Sequence, residues 1–350
     1  MPVIGKELYF LGNKTQSELA YNMHPKISII TPSYNQGQFI EQTICSVLDQ
    51  NYPNLEYIIM DGGSKDNTVE IIKKYEKHIT HWVSENDKGQ SDAINKGFKI
   101  ASGDVINWLN SDDYYEKGAL HKVGEAFSDP TTNAYLGISR IFGNKGEFFS
   151  TGTDVYADNL EKTIGWARID QPETFFRKSC FDKIGYLDQQ FHFIMDKELW
   201  IRYLLQYGFN GLKKTNDLLA HFRVHDDSKT NNFHEKFNKE TLSLYHSIAK
   251  LNGSKFNTIA ADLWPNEELT LEFKEHFIGD KTRIDKAINY SLFYLFLEGY
   301  AMNKYSDAKR IAALIDEKLL TNAEASHFRN IKLRIHLLPV FLKKVINKIR

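Results

Sequence analysis

A short apolar segment leads directly into two adjacent carboxylates in the stretch Ala101-Ser102-Gly103-Asp104-Val105-Ile106-Asn107-Trp108-Leu109-Asn110-Ser111-Asp112-Asp113. Its apolar part, residues 105–109, is typical of a strand buried inside a parallel sheet. The acids that follow would lie at the carboxyl edge of that sheet, where open α/β folds bind ligands. Two carboxylates there can hold a divalent cation against a phosphate. Alone, the pair is more typical of a polar loop that caps a strand, so the interpretation depends on the surrounding chain.

Strand and helix patterns alternate on the N-terminal side of this stretch. Apolar, largely β-branched runs at 27–31, 55–60 and 79–83 predict three more buried strands, and one-sided apolar spacing between them predicts helices. The resulting βαβαβαβ order predicts a Rossmann-like, three-layer α/β sandwich around a mostly parallel sheet.

The pattern changes after about residue 127. Two strands at 134–142 and 146–150 are predicted to form a hairpin, followed by a helix at 199–207 and a strand at 218–224. Beyond residue 235 the spacing is helical, and two apolar runs at 288–297 and 311–319 predict a helical hairpin. Three regions are therefore expected: an N-terminal extension at 1–25, an α/β domain at 26–235, and an all-helical C-terminal subdomain at 236–350.

Composition limits the classes of partner and compartment. The net charge of −1 gives no overall field that would attract nucleic acid, so no nucleic-acid partner is expected. Two cysteines far apart, Cys45 and Cys180, favour a reducing compartment. Residues 1–20 lack the apolar core of a signal peptide, and no apolar run approaches the roughly 20 residues that span a bilayer. These features predict a cytoplasmic protein.

Four polar clusters follow the four predicted strands. Each contains Gly, Asn, Asp or Ser, which are turn formers, so any single cluster is compatible with a simple turn. In a parallel sheet all four would meet in one crevice, which turns alone do not explain. The clusters are Thr31-Pro32-Ser33-Tyr34-Asn35, Asp61-Gly62-Gly63-Ser64-Lys65-Asp66, Glu85-Asn86-Asp87-Lys88-Gly89-Gln90-Ser91-Asp92 and Ser111-Asp112-Asp113.

Together these clusters resemble glycosyltransferase family 2, the inverting enzymes with a GT-A fold, over about residues 26–230. The stretch from Gly103 to Asp113 is similar to the metal motif of the family. Two further stretches resemble the acceptor-side segments of the family. They are Gln171-Pro172-Glu173-Thr174-Phe175-Phe176-Arg177 and Met195-Asp196-Lys197-Glu198-Leu199-Trp200-Ile201-Arg202. The resemblance implies a nucleotide diphosphate sugar donor, UDP-linked for preference, a glycan hydroxyl as acceptor, and Mn²⁺ or Mg²⁺ as cofactor.

The resemblance also implies a role for individual residues. Metal binding is expected at Asp113, with His225 as a further ligand unless it is only a loop histidine. Ser111 stands where the family often has an acid, so Asp113 would carry more of the metal binding. Nucleotide-sugar binding is expected from Thr31, Pro32, Tyr34, Asp61, Gly63, Asp92 and Asp112. The acceptor or donor-sugar side is expected to include Gln171, Glu198, Arg202 and Arg223, the last of which is also compatible with a plain surface arginine.

Asp196 is the candidate catalytic base. An inverting transfer is a single displacement and needs one carboxylate to take the proton of the attacking hydroxyl. Asp196 precedes an apolar helical run, and the positive end of that helix would favour its ionised form. The same position suits an ordinary helix N-cap. Glu198 is the alternative base, but two residues turn a helix by about 200°, so both acids cannot face the donor.

The last segment, residues 329–350, contains seven Lys or Arg residues and no acid, interleaved with apolar side chains. A helix of this kind can lie in an anionic membrane interface, or it can pack on its own domain. The membrane interpretation predicts a peripheral enzyme on the inner face of the membrane, and it suits a lipid-linked saccharide acceptor in surface-polysaccharide synthesis.

Two other functions were compatible with the pattern. A sugar nucleotidyltransferase has a related crevice but needs a Gly-rich loop with basic residues after the first strand, and residues 31–37 contain no Lys or Arg. A catalytically degenerate nucleotide-sugar-binding module would keep the fold without the acids, whereas Asp61, Asp113 and Asp196 are all present.

Overall fold

A mixed nine-stranded sheet is the framework of the residues that the computed structural model describes, which are 24–144, 146–226, 228, 233–257 and 274–337. The strands are β1 (Ile27–Ser33), β2 (Leu55–Asp61), β3 (His81–Ser84), β4 (Val105–Trp108), β5 (Tyr114–Tyr115), β6 (Ala134–Gly143), β7 (Gly146–Phe149), β8 (Thr174–Arg177) and β9 (Leu212–Val224). The helices are α1 (Ile40–Leu48), α2 (Thr68–Tyr75), α3 (Gln90–Ile100), α4 (Ala119–Ser128), α5 (Leu160–Trp166), α6 (Phe181–Ile184), α7 (Met195–Tyr207), α8 (His234–Leu251), α9 (Lys281–Ala301), α10 (Tyr305–Ala312) and α11 (Asn322–Leu337).

The strand order is β3-β2-β1-β4-β8-β6-β9-β5, and β7 pairs with β6 at the side. Strands β1 to β4 are mutually parallel, while β8 runs antiparallel between β4 and β6. The predicted α/β class and mostly parallel sheet are confirmed. The predicted hairpin is β6–β7, whose residues pair from Arg140 with Phe149 to Gly143 with Gly146.

The central strands are buried on both faces, which explains their continuous β-branched character. Ile29 and Ile59 point to one face, where they pack with Ile44 of α1. Ile30 and Ile58 point to the other face, where the core includes residues of α3 and α7. Side chains alternate along a strand, so one strand supplies both cores and the domain has three layers.

Helix α3 lies unusually close to the sheet at Gly97. A Cβ atom at this position would lie 2.6 Å from Cγ2 of Ile30 in β1. Because a glycine is required for this approach, it sets the height of α3 above the sheet and therefore the position of its N-terminus, which carries Asp92.

The helices after residue 233 share a hydrophobic core with the sheet. Leu244 of α8, Phe293 of α9 and Phe328 of α11 belong to the same buried cluster as Trp200 of α7. Of the predicted helical hairpin, the first run lies within α9. The second run, expected at 311–319, is interrupted, because α10 ends at Ala312 and the Asp316 side chain caps a separate 3₁₀ turn at Glu317–Leu319.

Both predicted terminal segments fall largely outside the described residues. Of the extension at 1–25, only His24 and Pro25 are described, and of the basic segment only residues 329–337, within α11. In the described portions of the chain, no helix has both the length and the apolar character that a membrane crossing requires.

Candidate active site

The loops that follow β1 to β4 meet at one edge of the sheet, as the four polar clusters predicted. The backbone N–H of Gly62, after β2, donates to the carbonyl of Ser33, the last residue of β1, over 2.8 Å. The Gln90 side chain, at the start of α3, donates to the Asn110 side chain, after β4, over 2.8 Å. The backbone N–H of Glu85, after β3, donates to the carbonyl of Asp61 over 3.0 Å. Together these contacts join all four loops along one edge of the sheet, so they form a single crevice.

Asp61 is the last residue of β2 and is only 2% exposed. Its Oδ2 accepts hydrogen bonds from the backbone N–H groups of Gly63 at 3.1 Å and Ser64 at 2.9 Å, and from the Ser84 hydroxyl at 2.6 Å. Gly63 has a φ of 81°, a conformation that favours glycine. The turn therefore holds the carboxylate in one orientation at the crevice edge.

Residues of the β1 loop divide between the core and the surface. Tyr34 is 59% exposed beside the crevice, and its neighbour Asn35 is tied to the β2 loop by a 2.7 Å hydrogen bond from its backbone N–H to Ser64. Pro32 is buried at the end of the strand. Thr31 differs from the sequence expectation, because its side chain is buried on the core face and lies 3.1 Å from the Tyr57 hydroxyl. It supports the crevice floor without lining a base pocket.

Asp92 lies in the first turn of α3. Its Oδ2 accepts from the backbone N–H of Lys88 at 3.1 Å and lies 3.5 Å from the Lys96 ammonium, while Oδ1 accepts from Gln189 at 3.1 Å. Partial burial opposes ionisation, but the Lys88 hydrogen bond and the Lys96 charge together lower the pKa of Asp92. The residue therefore presents a carboxylate at the crevice and links it to the loop before α7.

Asp113 is 1% exposed, directly after β4 and its polar loop. Its Oδ1 accepts from the backbone N–H of Arg223 at 2.9 Å, whereas its Oδ2 has no hydrogen-bond partner within 3.5 Å among the described residues. Burial, reinforced by the neighbouring charge of Asp112, raises the pKa of Asp113 well above its usual range. A buried carboxylate oxygen without a donor is suited to a cation.

Arg223 and His225 of the β9 end lie beside this pair of acids. The Asp112 carboxylate lies 3.0 Å from Nε2 of His225, and the Asp112 carbonyl accepts from Nε of Arg223 at 3.0 Å. The Arg223 guanidinium lies between the rings of Phe39 and Phe142, at 4.8 and 4.7 Å. Both residues are thus part of the crevice wall. A cavity of about 560 Å³ opens there, lined by Phe39, Phe142, Gly143, Asn144, Gly146, Glu147, Arg223, Val224 and His225.

The chemistry of the acids after β4 is compatible with a divalent cation that takes its remaining ligands from outside the protein. Among the described residues, no group of three or more His, Cys, Asp or Glu side chains is arranged to hold a metal ion alone. Asp113, Asp112 and His225 lie side by side without forming such a group, since the Asp112 carboxylate is paired with Nε2 of His225 and Oδ2 of Asp113 lacks a hydrogen-bond partner among the described residues. Mg²⁺ commonly takes only one or two protein carboxylates and fills other positions with phosphate and water, so this set suffices.

Asp196 occupies the first turn of α7 and is half-buried. Its Oδ1 accepts from the backbone N–H of Lys197 at 2.8 Å. Burial raises the pKa of Asp196 to about 6, with a smaller contribution from the charge of Asp170, while Lys197 opposes the rise. A carboxylate with a pKa near 6 is ionised at neutral pH and yet accepts a proton more readily than an exposed aspartate.

The start of α7 lies against the first turn of α3, at the edge of the crevice. The Ser91 hydroxyl of α3 donates to the Met195 sulfur at 2.9 Å, and Ser91 directly precedes Asp92. The residue that could accept a proton and the residue that could bind the donor thus occupy adjoining elements.

Gln171 and Glu173 place two further acceptor atoms in the interior beside β4. The Gln171 amide donates to the Asn107 side chain at 2.8 Å and the Trp108 carbonyl at 2.6 Å, while its Oε1 has no partner among the described residues. Glu173 is fully buried, its Oε2 has no partner in the described part of the chain, and burial raises its pKa to about 8. Glu173, in the turn before β8, was not among the predicted site residues, although its segment was, because its burial is a property of the folded chain.

Glu198 and Arg202 lie outside this constellation. Both are 0% exposed, and Nε of Arg202 lies 2.6 Å from Oε1 of Glu198. Arg202 also donates to the carbonyls of Ile184 and Tyr186, which close the end of α6. The pair ties α7 to α6 inside the core, so it does not reach the acceptor side of the crevice in this structure.

Comparison with known proteins gives consistent matches. A family model described as glycosyl transferase family 2 matches residues 28–197. TuaG of Bacillus subtilis, whose name assigns it to teichuronic acid biosynthesis, is 31% identical over 248 residues, which are 67% of this chain and 92% of TuaG. An uncharacterised glycosyltransferase of Rickettsia typhi is 28% identical over 215 residues, and the chain spans 66% of its length, just under two thirds.

Solved structures resemble the chain over most of its length. S. aureus TarS 1–349 in complex with UDP superimposes with a TM-score of 0.56 at 18% identity, covering 93% of this chain and 92% of that one. The complex of the same protein with UDP-GlcNAc gives 0.58 at 17% identity. At this level of identity the likeness establishes the fold, which is the GT-A arrangement together with several C-terminal helices.

Proposed function

This chain belongs to glycosyltransferase family 2, and from that premise we propose that it is an inverting, metal-dependent enzyme that transfers a sugar from a nucleotide diphosphate sugar to a glycan hydroxyl. The observation that carries the proposal is the arrangement of Asp61, Asp92 and Asp113 on one crevice, with Asp196 on the adjoining helix end. A UDP-sugar is the expected donor.

The donor end of the crevice is assigned to the β1 and β2 loops. The fixed carboxylate of Asp61 offers an acceptor to the N–H of a base, and the exposed ring of Tyr34 offers a surface for it. Asp92 is suited to ribose hydroxyls, since a carboxylate with lowered pKa accepts hydrogen bonds strongly. Because residue 63 is a glycine, the turn after β2 places no side chain between Asp61 and the proposed donor.

The diphosphate end is assigned to the acids after β4. A divalent cation bound here would act as a Lewis acid that neutralises the charge of the departing nucleoside diphosphate. Asp113 would hold it through Oδ2, with Asp112 or His225 as a further ligand. Arg223 fixes the other oxygen of Asp113 through its backbone N–H, so the free oxygen keeps a constant direction.

Asp196 is assigned the proton transfer. Its carboxylate takes the proton from the acceptor hydroxyl while the oxygen attacks the anomeric carbon from the side opposite the diphosphate. One displacement inverts the anomeric centre and needs no second acid on the protein. The hydrogen bond from Lys197 N–H keeps one carboxylate oxygen occupied, which leaves the other for the acceptor.

The acceptor is proposed to be a lipid-linked saccharide in cell-surface polysaccharide synthesis, with the enzyme peripheral on the inner face of the membrane. The named role of TuaG supports the polysaccharide part. The membrane part is supported by α11, on which Leu333 and Leu337 are 59% and 70% exposed beside Lys332 and Arg334. Lipid binding by a basic, partly apolar helix would bring the active site to such an acceptor.

A panel of nucleotide sugars tests the function. We expect one donor to raise the melting temperature of the protein in the presence of Mn²⁺, since a ligand at 100 times its Kd stabilises by about 2.7 kcal/mol. The same donor should then be hydrolysed slowly to the nucleoside diphosphate. Release of pyrophosphate from a nucleoside triphosphate and sugar phosphate would identify a nucleotidyltransferase instead. Donor binding without any turnover would identify a degenerate binding module.

A further inference from the structure

The loop that leads into α7 is held by a carboxylate from a distant helix. Glu240 of α8 accepts three consecutive backbone N–H groups, from His192 at 3.0 Å, Phe193 at 2.9 Å and Ile194 at 3.2 Å. Asp196 follows two residues later. Three donors on one carboxylate fix both its position and the path of the chain that it binds.

The beginning of α7 has no local device that would do this. Ile194 stands at the N-cap position and has no side-chain oxygen to accept from the first helical turn. The negative charge of Glu240 also lies at the positive end of the α7 dipole, where it is favourable. Glu240, which is at least 46 residues away in sequence, therefore takes the place of a local N-cap side chain in holding the start of α7.

The opposite side of the same loop is fixed to the donor-binding helix. The Asn95 side chain of α3 donates to the carbonyl of Leu187 at 2.8 Å and accepts from its backbone N–H at 3.0 Å. The loop from Leu187 to Ile194 thus spans from α3 to α8. These attachments, together with the hydrogen bond from Gln189 of the loop to Asp92, determine where Asp196 lies relative to Asp92 on α3.

We propose that Glu240 is a positioning residue that holds Asp196 in the orientation required for proton transfer, and that α8 is in this sense part of the active site. The proposal rests on the assignment of Asp196 as the base. The C-terminal helices then contribute to the chemical step without contacting the donor. A shift of about 1 Å in a reacting group can reduce the rate about 100-fold, so a loosened anchor should be visible in kcat.

The test compares variants of the full-length chain. Glu240→Ala should lower kcat about 10- to 100-fold while leaving donor KM and donor-induced thermal stabilisation within twofold, because the donor groups of β2 and β4 keep their partners. Glu240→Gln keeps one acceptor oxygen and should fall between wild type and Glu240→Ala. Asn252→Ala is the matched control, since it removes hydrogen bonds to Ile248 and Phe277 from the other end of α8. It should lower the melting temperature without this loss of kcat.

A double variant separates positioning from general destabilisation. If Glu240 acts through Asp196, then Glu240→Ala should have little further effect on kcat in an Asp196→Asn background, because coupled residues are not additive. Additive losses, or an unchanged kcat in Glu240→Ala, would overturn the proposal. An Asp196→Asn variant with normal kcat would instead overturn the base assignment, so failure of the two ideas is distinguishable.

Discussion

Asp113 lies in an environment that is unfavourable for a carboxylate. Its Oδ2 is buried without a donor, and leaving a buried polar atom unpaired costs about 1–3 kcal/mol. Buried polar atoms are usually paired in a stable fold, so the unpaired oxygen is the observation behind the proposal that Asp113 binds a cation.

Asp113→Asn should therefore separate stability from function. The carboxamide has the same shape and no charge to desolvate, so the melting temperature without donor should stay equal or rise. Mn²⁺-dependent donor turnover should be lost, because an amide is a poor ligand for a hard cation. Thermal melting and donor hydrolysis over a Mn²⁺ titration measure the two effects. Near wild-type turnover would remove Asp113 from the metal site.

Asp196→Asn should abolish the chemical step and spare donor binding. A carboxamide cannot accept a proton at neutral pH, and removal of a general base typically costs about 10²–10⁴ in rate. The measurement is kcat with a working acceptor, beside donor affinity from thermal shift. In the wild type, kcat should fall as the pH drops below about 6, because protonated Asp196 cannot act as the base.

Glu198→Gln is the comparison for that variant. Glu198 is paired with Arg202 inside the core, so its replacement should lower the melting temperature while kcat of the remaining folded enzyme changes little. A crippled kcat in Glu198→Gln beside a nearly normal Asp196→Asn would mean that Asp196 is only a helix-end residue.

At the scale of elements, the site depends on how closely α3 approaches the sheet. The glycine at position 97 allows the contact with Ile30, and the helix N-terminus carries Asp92 to the crevice. The four parallel strands supply the fixed edge, and their loops are then joined by hydrogen bonds. This division follows a general rule for α/β proteins, in which rigid strands position functional loops.

Gly97→Ala should destabilise the fold by roughly 1–3 kcal/mol, since the added methyl group overlaps Ile30 and forces the helix outward. Gly299→Ala in α9 is the matched control. A Cβ there would lie 3.4 Å from Ala308, and replacing a helical glycine generally stabilises by about 0.5–1 kcal/mol. Urea denaturation of both variants measures the difference. Equal effects of the two substitutions would contradict the packing role of Gly97.

At the scale of the whole molecule, buried acids make stability depend on pH. Burial raises the pKa of Glu173 to about 8 and that of Asp196 to about 6. The folded state therefore holds protons that the unfolded state has released, so stability falls as the pH rises from about 4.5 toward 8. Groups whose pKa is lowered, such as Glu56 with a pKa of about 2, affect stability only below that pH range. Burial lowers the pKa of His276, so this residue has the opposite effect on stability near pH 6.

The unfolding free energy of the donor-free protein should thus decrease between pH 6 and 8, by roughly 1 kcal/mol per pH unit for one proton held. Glu173→Gln should reduce that slope, because a carboxamide does not titrate, and the slope that remains is expected from Asp113, whose pKa burial also raises. Urea denaturation at pH 6, 7 and 8 gives the slopes. A wild-type slope that survives in Glu173→Gln would show that another group holds the proton.

The C-terminal segment gives a second test on the whole chain. Removal of residues 338–350 deletes Lys343, Lys344, Lys348 and Arg350 and should weaken co-sedimentation with anionic vesicles, most clearly at low salt. The cut belongs after Leu337, because Phe328, Ile331 and Ile335 of α11 are buried in the core. Unchanged vesicle binding by the truncated chain would restrict the membrane contact to the part of the chain before residue 338, and no vesicle binding by the full chain would remove the membrane proposal.

Local pattern was sufficient to predict the fold class and the meeting of the polar loops at one edge of the sheet. Buried strands reveal themselves by β-branched runs, and parallel strands bring their carboxyl ends together whatever the remainder of the chain does. For this reason Asp61, Asp92, Asp112 and Asp113 were identified from spacing and family resemblance, and the structure places them on one crevice. The alternation of side chains along a strand also explains the exception at Thr31, which faces the core.

Contacts between residues distant in sequence could be read only from the folded chain. Periodicity shows that Asp196 and Glu198 lie on different faces of α7, but packing determines that Glu198 is the one buried against Arg202. Glu240 reaches Ile194 across 46 residues, and Arg223 reaches Asp113 across 110. Nothing in the local sequence encodes such pairs, because a carboxylate on a helix is ordinarily solvated and acquires its partner only when another element is packed against it.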